Sequence, residues 1–247
     1  MAQDPGARLK IAVLIKRFLR TGGAEKYAME VVRRLAVHHE VHVFAHEWVF
    51  DGTEPITFHK IPRVCRKPAW VNQLAFSYFC RKAVGSGFDV VHSFEKVPAF
   101  DVMTVQSPCF KSPELRRSGQ WKQLLDLAGT AISPRKLAWR WLEASQFAGD
   151  GRRVIIAVAE KVKRNVQDCY GLPDDYFQLA YTGVEVPREE RARSPQELDE
   201  IRAQLGVSAD DVVVLFVGTE FKRKGLDALL EGWARDRKST RLNSSHT

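Results

Sequence analysis

The stretch LKIAVLIKRFLRTGGAEKYAMEVVRRLAV, Leu9–Val37, decides the fold. Leu9–Ile15 is a short, nearly unbroken apolar run, which predicts a strand covered on both faces. KRFLRTGG follows as a loop. Ala24–Val37 then reads as a helix, because Ala24, Tyr27, Ala28, Val31, Val32 and Leu35 recur at i, i+3, i+4 and i+7 spacing. Glu30 and Arg34 form an i,i+4 pair on its wet side. Strand, glycine-bearing turn and helix open a mainly parallel α/β sheet.

The same alternation runs outward from this unit. Glu40–Trp48 and Ile56–Pro62 predict strands, Asn72–Val84 a helix and Phe88–Phe94 another strand. Cys109–Glu143 is less regular and helix-rich. RRVIIAVA (Arg152–Ala159) predicts a strand, EKVKRNVQDCYG (Glu160–Gly171) a helix stopped by Gly171 and Pro173, and YFQLAY (Tyr176–Tyr181) a last short strand. The polar residues Val186–Pro195 read as a linker, with Ser194 a helix N-cap and Pro195 the first helical residue. The opening design then recurs: DVVVLFVG (Asp211–Gly218) as strand, TEFKRKG as basic loop, Leu226–Ala234 as helix. From Asp236 the run DRKSTRLNSSHT loses all periodicity and looks like sequencing-adapter read-through. The expected domains are therefore 1–185, then 186–236 as linker and start of a second domain, then 237–247 as a disordered, non-native tail.

Composition narrows the class. With 247 residues, 45% hydrophobic and 28% charged, the chain can bury a sizeable core and is not a disordered polymer. No apolar run exceeds six residues, whereas a membrane span needs roughly 18 or more. The start, MAQDPGARLK, has no apolar stretch of signal-peptide length. Four cysteines, Cys65, Cys80, Cys109 and Cys169, lie without CxxC or Cys/His spacing. These features predict reduced thiols, a cytoplasmic protein and no zinc site. The net charge of +8 is local. Residues 109–142 carry Lys111, Arg116, Arg117, Lys122, Arg135, Lys136 and Arg140 against Glu114 and Asp126, and the last thirteen residues hold the whole of the remainder. An acidic partner would meet one segment, not the whole surface.

Two turns could carry chemistry. Gly22-Gly23 precedes a helix whose N-terminal N–H groups favour an anion, and glycine allows close backbone approach. Lys222-Arg223-Lys224-Gly225 again sits between a strand and a helix, and its crowded cations suit a phosphate. Neither GxGxxG nor GxxxxGK[ST] occurs, which argues against a dinucleotide oxidoreductase and a P-loop nucleotidase.

Taken as a set, Gly22-Gly23-Ala24-Glu25, EKVPAFDV (Glu95–Val102), YTGVEVPR (Tyr181–Arg188) and FVGTEFKRKGLDALLEG (Phe216–Gly232) resemble glycosyltransferase family 4 enzymes of GT-B fold. The likeness is nearest to the lipopolysaccharide-core glucosyltransferases. It implies an α/β chain: a GT-B Rossmann-like N-terminal, acceptor-side domain and the first β–α unit of a donor-binding domain. It implies a retaining hexosyltransferase that moves a sugar from a nucleoside-diphosphate sugar to a glycan or lipid-linked acceptor, without a metal or other cofactor. Gly22, Gly23, Arg188, Arg223 and Lys224 would then hold the donor diphosphate. Asp101 would face the acceptor as the catalytic candidate. Thr182 and Ala159-Glu160 depart from the family pattern, and Gln106–Pro108 lacks a histidine that many relatives have. The family's Glu-x7-Glu donor motif would lie beyond residue 247, so the chain alone is expected to be inactive.

Residues outside the motifs have plainer readings. His92, at the end of a buried-looking strand, reads as a satisfied core histidine, and Glu95 fits either a structural or a functional role. The basic segment 109–142, with Trp121, Trp139 and Trp141, suits an anionic membrane surface at the inner face of the cytoplasmic membrane. The rival class is a non-enzymatic nucleic-acid- or membrane-binding module. No RRM, KH or helix-turn-helix pattern accompanies the patch, so a nucleic-acid partner is not expected.

Overall fold

A computed structural model describes residues 7–112, 133–148, 153–183, 194–208, 211–218 and 221–244. The chain divides into two compact units, Met1–Val184 and Glu185–Thr247.

In the first unit, β1 (Lys10–Leu14) leads through β2 (Arg17–Phe18) into α1 (Gly23–His38). There follow β3 (Glu40–Ala45), β4 (Glu47–Trp48), β5 (Ile56–Lys60), α2 (Ala69–Val84), β6 (Val90–Ser93) and β7 (Val102–Val105). The unit closes with α3 (Pro134–Phe147), β8 (Val154–Ala157), α4 (Glu160–Tyr170) and β9 (Phe177–Leu179). Seven strands form one sheet in the order β5-β3-β1-β6-β7-β8-β9, and every pairing in it is parallel.

The unbroken apolar run of β1 is explained by its neighbours. Ile11 and Val13 pack with Ala28, Met29, Val32 and Ala36 of α1 on one face. Ala12 and Leu14 pack with Phe76, Cys80 and Val84 of α2 on the other. A third cluster joins Met103 and Val105 of β7 to Ile155, Ala157 and the α4 residues Val162, Val166 and Cys169. Each fully buried aliphatic side chain contributes about 1.5–3 kcal/mol of transfer free energy. Cys80, Cys109 and Cys169 are buried free thiols, as the cysteine spacing led one to expect. The helix over Glu160–Tyr170 ends, also as expected, on Gly171 in the left-handed region (φ 66°).

Two local departures are physical. The expected strand Glu40–Trp48 breaks at His46, and the loop after β1 contains β2, which pairs in parallel with β4 as a small second sheet. Strand β7 escaped the sequence reading because four residues, one of them Thr104, give too little periodicity.

The second unit contains α5 (Pro195–Gln204), α6 (Phe221–Lys224) and α7 (Leu226–Ser244). Ser194 caps α5 as expected, with a full capping box: its hydroxyl accepts from the Glu197 amide, and the Glu197 carboxylate accepts from the Ser194 amide. Two expectations are corrected. Asp211–Gly218 is not a strand, and Val212, Leu215 and Val217 are about four-fifths exposed. A central parallel strand needs neighbours on both edges, and among the described residues of this unit no strand lies beside it. The basic loop contains one helical turn, and α7 continues to Ser244 where a structureless tail was expected. No glycine or proline follows Gly232, and Arg, Lys and Leu sustain the helix.

Candidate functional site

Strand order reverses at β1: β3 lies on one side and β6 on the other. In such sheets the crevice for a ligand opens beyond the carboxyl ends of the strands at this reversal. The residues there are Lys16, just past β1, and Glu95 and Lys96, just past β6. The Lys16 amide donates to Glu95 Oε1 at 3.3 Å, and its ammonium lies 3.1 Å from Glu95 Oε2. The pair is partly accessible, with the Glu95 side chain 18% exposed. The loop that presents Glu95 is pinned. Ser93 Oγ donates to the Glu95 carbonyl (2.8 Å), the Glu95 amide donates to Ser93 Oγ (3.2 Å), and Gln146 Nε2 donates to the Glu95 carbonyl (3.3 Å).

A polar layer backs this crevice. His46, just past β3, donates from Nδ1 to the Ile61 carbonyl (3.0 Å), so its Nε2 accepts from Asn72 Nδ2 (3.1 Å). Burial holds the His46 imidazole below its ordinary pKa, and nearby Arg63 and Lys16 push the same way while Glu95 opposes them. Gln73 donates to the Lys96 carbonyl at 3.0 Å. The Lys96 ammonium reaches the buried carboxylate of Glu143 on α3, which also accepts from the Phe110 amide (2.8 Å) and the Tyr170 hydroxyl (2.8 Å). Sequence reading missed Lys16 and Glu143. For Lys16 the available signal was its place as the first charge after a buried strand. For Glu143 there was a lone carboxylate in a tryptophan-rich amphipathic run.

Gly22 and Gly23 open α1. Gly22 is the N-cap in extended conformation (φ −123°, ψ 152°), with no side-chain cap. The carboxylate of Glu25 folds back over it, so that a Cβ on Gly22 would sit 1.9 Å from Glu25 Oε2, whereas a Cβ on Gly23 would meet open space. The first turn therefore holds its own carboxylate near the positive helix end. An external anion at this turn requires Glu25 to swing aside.

The other expected site residues fall differently. Asp101 stands at the amino end of β7, not at the carboxyl ends. Its Oδ2 accepts from the Val91 amide (2.8 Å), its amide donates to the Val91 carbonyl (2.9 Å), and its carbonyl accepts from the Val154 amide (2.9 Å). Four strand residues, roughly 13 Å, separate it from the crevice end of the sheet. The Asp101 carboxylate thus ties the start of β7 to β6. It also borders a cavity of about 600 Å³ lined by Val84, Gly85, Phe100 and Arg153. His92 is the core histidine expected: it is 6% exposed, pairs through Nε2 with Thr104 Oγ1 at 2.9 Å, and burial lowers its pKa to about 4.

Arg188 lies outside the described residues. Arg223 and Lys224 end the single turn α6 in the second unit, and the Lys224 side chain packs beside Gly218. Gly225 follows with φ 85°.

Comparisons with known proteins bear on the fold. The family model described as Glycosyltransferase Family 4 matches residues 21–109, the stretch from the glycine turn through β7 to Cys109. The lipopolysaccharide glucosyltransferase WaaG of Escherichia coli (strain K12) is 21% identical over 243 residues, covering 95% of this chain and 61% of that protein. A crystal structure of WaaG, a glycosyltransferase involved in lipopolysaccharide biosynthesis, superposes with TM-score 0.72 at 20% identity, covering 90% of this chain and 58% of that one. The chain thus spans about three-fifths of the relative it matches. The resemblance to glycosyltransferase family 4 and the GT-B type α/β fold both stand.

Proposed function

We propose that the chain forms the acceptor-side part of a retaining glycosyltransferase that moves a sugar from a nucleoside-diphosphate sugar to a glycan or lipid-linked acceptor, the lipopolysaccharide core included. The observation that carries this reading is the strand-order reversal between β1 and β6, beside a family match over residues 21–109 that takes in β6. Gly22 and Gly23 admit the donor phosphate near the α1 N-terminus once Glu25 withdraws. Arg188, Arg223 and Lys224 neutralise the departing diphosphate in place of a metal, by stabilising the charge that develops on it.

Among the described residues of the second unit the elements are helices alone, with no strand to support a donor site. On this reading the 247-residue chain by itself does not turn over. The test is label transfer from a panel of nucleoside-diphosphate sugars to lipid and glycan fractions. It is run with the chain alone and with the chain joined to the donor-side domain of the Escherichia coli relative. Transfer by the joined protein only, with the anomeric configuration kept, is the expected result. Transfer by the chain alone would refute the inactivity, and an inverted product would refute retention.

The membrane surface enters through α3. Leu137 is 49% exposed and Trp141 59%, one turn apart, with Arg135 and Arg140 exposed beside them. Apolar side chains flanked by guanidinium groups suit an anionic lipid surface. The rest of the basic run, 113–132, lies outside the described residues. Among the described residues no helix is long and apolar enough to cross a membrane. The proposed association is peripheral, at the cytoplasmic face.

A further inference from the structure

We propose that Glu95 is the acceptor-recognising carboxylate of this crevice, and that it takes hydroxyl groups of an uncharged, polyhydroxylated ligand. The proposal rests on the glycosyltransferase reading and names the residue that reading left open. Four observations converge on it.

The first is place. Glu95 follows β6 directly at the strand-order reversal, whereas Asp101 is turned to the opposite end of the sheet. The second is valence. A carboxylate offers about four acceptor positions, and the Lys16 amide and ammonium occupy two of those on Glu95. At 18% exposure the remainder can be reached by a ligand.

The third is charge. The Lys16 ammonium cancels Glu95, and Lys96 is committed to Glu143, so both lysines at these strand ends already hold carboxylates. A phosphate there would have to break one of these pairs. A neutral hydroxyl adds to them without cost in charge.

The fourth is preorganisation. Gln146 spends its amide on the Glu95 carbonyl. The Ser93 and Gln146 bonds hold the Glu95 loop in place beforehand, so little ordering remains for the ligand to drive.

The experiment is a nitrogen-15 amide titration of the 247-residue chain with methyl glycosides of glucose, galactose, mannose and heptose, and of the glycoside-bound chain with inorganic pyrophosphate. At least one glycoside should shift the amides of residues 14–18 and 93–97 saturably. Glu95→Gln should weaken that binding about tenfold, as expected for loss of a charged acceptor. Glu95→Asp should recover part of it, with both variants giving the wild-type amide spectrum elsewhere. Silence of these amides toward every glycoside overturns the proposal. So does full binding by Glu95→Gln, or pyrophosphate displacing the glycoside from the amides of residues 93–97. None of these outcomes touches the transfer assay of the joined protein, so the two readings fail separately.

Discussion

Lys96, in the loop after β6, ion-pairs with Glu143, in the middle of α3, whose side chain is 1% exposed. This contact ties the crevice loop to the helix behind it. Glu143 also collects the Phe110 amide and the Tyr170 hydroxyl, so one carboxylate joins β6, the segment after β7, α3 and α4. Burial, with Glu143 next, raises the Tyr170 phenol well above its ordinary pKa, and the same two causes raise the Cys109 thiol to about 12. A buried carboxylate stripped of its cation is left uncompensated, at about 3–5 kcal/mol. Lys96→Met should therefore lower stability by about that amount. The double variant Lys96→Met, Glu143→Leu should regain part of the loss. Urea unfolding of the two variants measures this, and equal stability of Lys96→Met and wild type would contradict it.

His92 predicts a pH dependence. Its folded pKa, about 4, lies below the ordinary value of 6.5, so between these values the unfolded chain binds the proton that the fold excludes. The His92 contribution is fully present above about pH 6.5 and is lost as pH falls toward 4, reaching about 3 kcal/mol. His46 and His59 are also lowered, mainly by burial, and act in the same direction. Urea midpoints should fall between pH 7.5 and 4.5, and His92→Gln should flatten part of that fall. An unchanged slope in the variant would mean that His92 is not excluded from protonation by the fold.

The parts of the fold that sequence exposed were those with a repeating physical cause. Leu9–Ile15 is apolar at nearly every position because α1 and α2 cover both faces, and Gly171 marks the end of α4 because it must turn left-handed. The crevice was only half legible. Gly22-Gly23 stood out by composition, but Lys16 and Glu143 matter through partners 79 and 47 residues away, a separation that no local pattern records. Asp101 sits in a motif that fits a site, and its hydrogen bonds to Val91 and its place before β7 come from strand pairing, which the motif does not record. Asp211–Gly218 misled because an apolar run states a capacity to pair and supplies no partner.

Two glycines with positive φ should respond unequally to alanine. Gly171 sits in the left-handed region at φ 66° and ψ 28°, where a Cβ costs about 1 kcal/mol. Gly85, the C-cap of α2, has φ 55° and ψ −137°, outside every region comfortable for L-residues. Gly85→Ala should therefore cost about 2 kcal/mol, and more than Gly171→Ala. An added Cβ meets open space at both positions, so the difference reads backbone strain and not crowding. Thermal unfolding of the two variants under one condition ranks them, and the reverse ranking would refute the strain argument.

The outer face of α3 makes a prediction for the lipid surface. Leu137 and Trp141 stand one turn apart and well exposed, while Leu142 and Glu143 on the inner side are buried, so the helix is amphipathic toward its surroundings as well as its core. Against vesicles rich in phosphatidylglycerol, Arg135→Gln and Arg140→Gln should each weaken binding by about 1 kcal/mol, and the loss should shrink as salt rises. Trp141→Ser should weaken it in a way that salt does not mask, because its contribution is buried apolar area. Flotation of the 247-residue chain with anionic and with neutral vesicles separates these contributions. Equal recovery on both vesicle types would leave α3 an ordinary solvated helix and remove the membrane from the proposed function.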